Sequence, residues 1–371
     1  MKICTITCHD VYNFGASLQA YALMSYLQSL GHVVEIIDYK PDYLSRHYSL
    51  FGVSNPKYRK NLFSRLVYNV LKFPKRLWLL KNKWIFDRYQ KTHLVRTKKR
   101  YRTNDEIKRD VPVADAYICG SDQVWNPLMK NGQDKAFYLD FVPKDKKKIS
   151  YAASMAVDEI PTQYKDFICQ QISSFNFISV RETTAVRLLS EMGITSIQVV
   201  DPVFLLEKNF WAEQLKEKDV KFSKEKYILV YDFEKNPKVK EFVEDYALKN
   251  KLKIITVFKS DYATLNIAIK DPNDFLAAIK NAEFVVSNSF HATAFSIIFQ
   301  KQFVVFNRKE NVNTRMLDLL TMFGLSERLL TKDFAGDVVN YNDINEFMES
   351  AVAKSKSFLE EALNDIPCRQ K

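Results

Sequence analysis

The stretch Glu283–Asn307, EFVVSNSFHATAFSIIFQKQFVVFN, reads as a strand, a polar turn, a helix and a second strand. EFVVS is a β-branched and aromatic run, HATAFSIIFQ carries apolar residues at helical spacing, and QFVVFN returns to strand character. Two strands joined through a helix make a βαβ unit, and such units build parallel sheets. The turn into the helix holds Ser287, Asn288, Ser289 and His291, and the chain has only five histidines. Ligands of parallel α/β sheets sit beyond the carboxyl ends of the strands. The same turn therefore bears on chemistry as well as on fold.

Outward from this stretch the pattern repeats. KICTIT, GASLQAYALMSYLQSL (stopping at Gly31) and VVEIIDY predict strand, helix and strand at the start of the chain. DAYICGSDQVWNP and KKISYAAS follow as strands with polar ends. YKDFICQQISSF is helical, and NFISV is a strand running into Arg181. TTAVRLLSEMG is a helix closed by Gly193, and SIQVVDP is a strand stopped by Pro202. A second series starts near Tyr227: YILVYDF, then the helix PKVKEFVEDYALKN, then LKIITVF. The helix PNDFLAAIKNA comes next, with Pro272 in its first turn. The expected fold is α/β, with two Rossmann-like doubly wound domains facing a cleft, over residues 1–205 and 206–345. Their joint falls near residues 203–225. A basic helical insertion is expected at about 55–110, and a C-terminal helix and tail at 346–371.

The 371 residues are 47% hydrophobic and 27% charged, as in an ordinary globular chain with a sizeable core. The net charge of +11 is uneven. Residues 57–110 hold 18 Lys/Arg against 4 Asp/Glu, about +14, which leaves about −3 for the rest. Trp78, Trp84, Phe73, Phe86, Tyr68 and Tyr89 lie in this segment. It reads either as a helical insertion with a solvated basic face or as a surface for acidic partners such as anionic lipid head groups, a lipid diphosphate or a polyanionic glycan. No zinc-finger spacing or RNP-type motif accompanies the charge, so no nucleic-acid partner is expected. MKICTITCHD does not read as a signal peptide, and no apolar run reaches the roughly 20 residues that span a bilayer. The expected location is cytoplasmic, with peripheral contact at the inner face of an anionic membrane under the second reading.

The five cysteines are scattered and odd in number, which suits buried thiols better than a disulfide framework. None of the eight glycines is spaced for GxGxxG, and GxxxxGK[ST] does not occur. This argues against a dinucleotide oxidoreductase and a P-loop ATPase. HExxH, paired-histidine spacing and GxSxG are missing too, so neither metal nor cofactor is expected.

Four polar turns remain. In SNSFHATAF a helix starts near Phe290, and its free N–H groups favour an anion. Ser287, Asn288 or Ser289 would cap it, and a bound anion would favour the imidazolium of His291. The plain alternative is a capping histidine. In ISVRE, Arg181 ends an apolar strand, placed for two-point recognition of a carboxylate or phosphate, or for a structural ion pair with Glu182. In CGSDQVWNP, Ser121, Asp122, Gln123 and Asn126 could bind hydroxyls while Trp125 stacks on a sugar face. The alternative there is a well-packed turn. VYNFGASLQAYAL offers Asn13, Gly15 and Gln19 where the first strand meets its helix.

Taken together, NFGASLQAYAL, GSDQVWNP, YAAS, SVRE, DPVFLL and SFHATAFSIIF resemble, in order, the motifs of the polysaccharide pyruvyl transferase family. The resemblance implies a GT-B-like glycosyltransferase architecture. It also implies transfer of pyruvate from phosphoenolpyruvate onto a sugar, leaving a cyclic ketal. The family's motif histidine falls on His291 and its strand-end arginine on Arg181. Some members carry an arginine where this chain has Ser289, which leaves one anion contact missing or supplied elsewhere. On this reading His291 is proton donor or phosphate clamp, Arg181 holds the donor, and Asp122 is the base for a sugar hydroxyl. Ser287, Asn288, Ser289 and Phe290 complete the donor site. Asn13, Gln19, Ser121, Gln123, Trp125 and Asn126 contribute to the acceptor site, for a sugar or lipid-linked oligosaccharide. Two other readings fit the same architecture: a nucleotide-sugar glycosyltransferase, and a non-catalytic glycan-binding member of a polysaccharide assembly.

Overall fold

The computed structural model describes residues 1–45, 58, 61–308, 314–330, 334 and 336–364. For residues 45, 74–79, 81 and 82 it describes the backbone only, so the Trp78 side chain lies outside the described set, as do Cys368 and the tail beyond residue 364.

Seven parallel strands form the first sheet. They are β1 (Lys2–Ile6), β2 (Val33–Tyr39), β3 (Arg96–Tyr101), β4 (Ala116–Cys119), β5 (Lys147–Ala153), β6 (Phe177–Val180) and β7 (Ile197–Gln198), in the order β3-β2-β1-β4-β5-β6-β7. The second sheet is β8 (Tyr227–Tyr231), β9 (Lys253–Thr256), β10 (Phe284–Ser287), β11 (Gln302–Phe306) and β12 (Leu329–Leu330), in the order β12-β11-β10-β8-β9. All its pairings are parallel as well. Strands β1, β4, β8 and β10 are buried throughout or nearly so, as the central strands of doubly covered sheets must be. In each sheet the strand order reverses once, between β1 and β4 and between β8 and β10. Such switch points open a crevice at the strand ends. The turn after β10 is the quoted SNSFH, and the turns after β1 and β4 carry Asn13 and Ser121–Asn126.

The 55–110 segment is not helical throughout. The helix Leu62–His93 is followed by β3, RTKKRY, which pairs with β2 at the sheet edge. An edge strand can keep its cations in water and needs only Thr97 and Tyr101 inside. That composition hides it from an apolar-run reading. SIQVVDP contributes only Ile197–Gln198 to the sheet. The residues between Pro202 and Phe222 are short helical turns that lead into the second sheet.

One apolar core runs through both halves. Phe14 of the first helix (Phe14–Ser29) stacks at 5.0 Å on Phe275 of the helix Pro272–Lys280. Trp211 in the connection meets Phe295 at 5.0 Å. The last helix, Tyr341–Asn364, starts on the second half, where the Tyr341 hydroxyl donates to the Lys301 carbonyl at 2.5 Å. It ends on the first. Phe358 packs against Tyr151 and Phe177, and Lys147 Nζ donates to the Leu363 carbonyl at 2.8 Å. Cys4, Cys8 and Cys119 are buried and free, and Cys169 is half-buried and free. Burial pushes the Cys4 thiol up to about 12, which makes it inert near neutrality.

Candidate active site between the two halves

Ser289 has extended backbone and caps the helix Phe290–Ile298, which puts His291 in its first turn, buried. The imidazole lies against the start of the first helix. A Cβ on Gly15 would fall 2.0 Å from His291 Nδ1 and 2.3 Å from its Cγ. Gly15 is thus required by close approach of a ring from the other half, not by a turn conformation. Asn13 accepts from the Gly15 and Ala16 N–H groups at 2.9 and 3.3 Å and so fixes this helix start.

Behind the histidine lies Asp201, fully buried at the end of the segment after β7. It accepts from Arg181 Nη1 at 2.7 Å and from Ser121 Oγ at 2.9 Å, and His291 Nε2 stands 3.7 Å away. That last distance is ion-pair reach but too long for a hydrogen bond, and Nε2 has no hydrogen-bond partner. Burial alone would push the Asp201 carboxyl up. His291 and Arg181 outweigh it and hold the group well below the usual carboxylate range.

Arg181 follows β6 and is buried, with its guanidinium 4.2 Å from the centre of the Phe290 ring. Its principal partner is Asp201. Glu182 lies 3.9 Å from Nε and is otherwise engaged, accepting from Ser154 Oγ, Met155 N and Ala156 N at 2.9, 2.7 and 2.9 Å. Arg181 Nε and Nη2 have no hydrogen-bond partner.

A second guanidinium shares this environment. Arg315 is the second residue of the helix Thr314–Met322. With the Gln123 carboxamide oxygen turned toward it, both Nη atoms lie 3.0 Å from that oxygen, while Nε has no partner. Burial, and then the positive charge of Arg181, push it down to about 10. Two like charges held together out of water are costly without an anion. Asp122 takes the positive φ of +79° in the same loop, and Ala152 and Ala156 beside it have φ of +52° and +51°. Strained backbone of this sort gathers at functional sites.

The structure thus brings together His291, Arg181, Phe290, Ser121, Asp122 and Gln123, and adds Asp201 and Arg315. Asp201 had a signal, an Asp-Pro at a strand end. Arg315 had none, being one cation at the start of an amphipathic helix. Other residues of the same turns hydrogen-bond within the protein. Ser287 Oγ accepts from Ser289 N at 2.8 Å. Asn288 ties the β10 turn to the β8 turn through Asp232 at 2.7 Å and Phe233 N at 3.0 Å. Gln19 is buried, donating to Thr7 Oγ1 at 2.9 Å and to the Ala16 carbonyl at 3.0 Å. Asn126 accepts from Leu128 N at 3.0 Å within its own loop.

Trp125 is a correction. Its side chain is 0% exposed, its Nε1 donates to the Phe137 carbonyl at 3.0 Å, and it stacks at 5.7 Å on Tyr138 with Phe175 edge-on. Neither face of the indole is open to a sugar. It is the plug that lets the loop after β4 pack on itself.

A cavity of about 660 Å³ opens separately, beyond the ends of β8 and β9, lined by residues including Asp232, Lys235, Asn236, Lys240, Lys259 and Tyr262. It does not include His291 or Arg181.

Two parallel α/β halves, with Arg181, Arg315 and His291 gathered where their strand-end crevices meet, define a two-domain α/β architecture with a candidate site between the halves. The chain belongs to the polysaccharide pyruvyl transferase family, whose model matches residues 13–310. The match ends before Arg315. No curated protein matches the sequence. Solved structures with a similar course of chain include a UDP-GlcNAc 2-epimerase from Neisseria meningitidis bound to UDP-GlcNAc (11% identity, 99% of this chain and 95% of that one, TM-score 0.49). Another is the E. coli heptosyltransferase WaaC with ADP-2-deoxy-2-fluoro heptose (10% identity, 97% and 99%, TM-score 0.38).

Proposed function

We propose that the protein transfers pyruvate from phosphoenolpyruvate to two hydroxyls of a sugar, forming a cyclic ketal and releasing phosphate. One observation carries the reading. Arg181, Arg315 and His291 each present at least one buried N–H or ring nitrogen with no hydrogen-bond partner in the protein. Such a set suits a small ligand with a carboxylate and a phosphate. The Gly-rich phosphate loops it lacks are those of nucleotides, not of this donor. Arg315 supplies the cation that Ser289 does not.

In this scheme His291 protonates the methylene carbon, which becomes the ketal's methyl group, and the central carbon gains cationic character. One sugar hydroxyl adds there and gives its proton to Asp122. The C–O bond to phosphate breaks, and phosphate leaves toward the two guanidinium groups. The second hydroxyl adds, gives its proton to the now neutral His291 and closes the ring. Asp201 holds Arg181 in place and offsets charge on His291. No cofactor enters these steps. The acceptor is a polysaccharide precursor, carried on a lipid at the cytoplasmic face of the membrane.

The 660 Å³ cavity with Lys235, Lys240 and Lys259 favours a second reading, glycosyl transfer from a nucleotide sugar. Thermal shift with phosphoenolpyruvate and with sugar nucleotides, followed by assay of the released product, separates the two. Stabilisation by phosphoenolpyruvate and acceptor-dependent phosphate release are expected. Nucleotide release from a sugar nucleotide, with no response to phosphoenolpyruvate, overturns the proposal.

A further inference from the structure

The helix Leu62–His93 is amphipathic in its first three turns, but its apolar half faces outward. Leu62, Phe63, Leu66, Val67, Val70 and Leu71 fall at i, i+1, i+4, i+5, i+8 and i+9, two adjoining columns on one side. All six are exposed, Leu62 at 83%, Phe63 at 75% and Leu71 at 72%. The other side carries Ser64, Arg65, Tyr68, Asn69 and Lys72. Of these Ser64, Tyr68 and Asn69 are half-buried, and Ser64 Oγ donates to the Tyr58 carbonyl at 3.3 Å. A helix packed on a soluble body shows the reverse, apolar in and polar out. Six contiguous exposed apolar side chains mark an interaction surface.

The charge of the element selects the occupant. The helix has eight Lys/Arg and one Asp, and Trp84, Arg88 and Lys91 are exposed farther along it. The Arg88 guanidinium lies 5.7 Å over the Trp84 ring. Among the described residues no helix is long and apolar enough to cross a membrane. An apolar stripe, with an exposed tryptophan and exposed cations farther along the same helix, matches a bilayer surface, acyl chains below and anionic head groups around. A second copy would bring the same basic segment against itself and be repelled.

We infer that the first three turns of this helix dock into an anionic lipid surface, with Trp84, Arg88 and Lys91 at the head-group level. The inference is independent of the donor chemistry.

The test is co-sedimentation of the full chain with vesicles of phosphatidylglycerol and phosphatidylcholine, and with phosphatidylcholine vesicles alone, at low and high salt. Sedimentation velocity of the free protein runs alongside. Binding to the anionic vesicles, weakened by salt, is expected. Leu66→Asp/Val70→Asp and Arg88→Glu/Lys91→Glu should each reduce partitioning about ten-fold or more. Both pairs are exposed, so an unchanged melting temperature checks that the variants fold. Equal binding to both vesicle types, or binding to neither, overturns the inference. So does a dimer of wild type that the Asp variant abolishes, which would make the stripe a contact between copies.

Discussion

Asp201 receives Arg181 and Ser121 with almost no access to water. Asp201→Asn would leave Arg181 buried beside Arg315 without its principal counter-charge, and should destabilise the fold by about 3 kcal/mol. The carboxyl is held below its ordinary range in the fold. Its contribution is therefore complete above the unfolded value of about 4 and disappears as pH falls through the folded value. Melting temperatures between about pH 6 and pH 2 should fall steeply in wild type and less steeply in Asp201→Asn. Parallel curves would show that the pair contributes nothing.

His291 and the two arginines make separable predictions. His291→Gln keeps a polar side chain but cannot donate the proton, and should lower kcat about 100-fold or more with modest change in donor KM. Near-wild-type turnover would reduce the histidine to a capping residue. Arg315→Gln should raise the donor KM without destabilising the protein, because it relieves repulsion from Arg181. A donor KM left unchanged in a stable variant would exclude Arg315 from the site. Gly15→Ala places a methyl group on the imidazole itself and should lower activity far more than an alanine at a helix start normally would.

At the scale of elements, strands β1, β4, β8 and β10 were legible because buried parallel strands are continuous apolar runs, and their helices because glycine, proline and cap residues mark the ends. β3 was not, because an edge strand keeps its cations in water. The candidate site was legible where polar residues follow an apolar strand, as Arg181 follows β6 and His291 opens the helix after β10. It was illegible at Arg315, which reaches the cluster only through folding, and at Trp125, whose polar neighbours suggested a sugar platform. Trp125→Ala should cost about 3–5 kcal/mol and leave the acceptor KM of the remaining folded enzyme unchanged. A raised acceptor KM at unchanged stability would restore the indole to the acceptor site.

Across the whole molecule, the cleft is set by two helix starts meeting face to face, Gly15 of one half against His291 of the other. An apolar interface through Phe14, Phe275, Trp211 and Phe295 holds them in register. The last helix straps the halves together. A chain ending at residue 340 would lose Phe358 from Tyr151 and Phe177 and the contacts of Lys147 with the Ala362 and Leu363 carbonyls. It should be insoluble or expanded by size-exclusion chromatography.

The strap also sets an order in time. Residues 341–364 are synthesised after both sheets, yet they cover the one that is synthesised first. At about 5–20 residues per second, the stretch from the end of β7 at Gln198 to the end of this helix at Asn364 takes roughly 10–30 s to supply. Throughout that interval Tyr151 and Phe177 lack the cover of Phe358, although every strand of their sheet has already emerged. The amino-terminal half is thus begun first and completed only after the second sheet, and must be sheltered by a chaperone or stay open until this helix emerges.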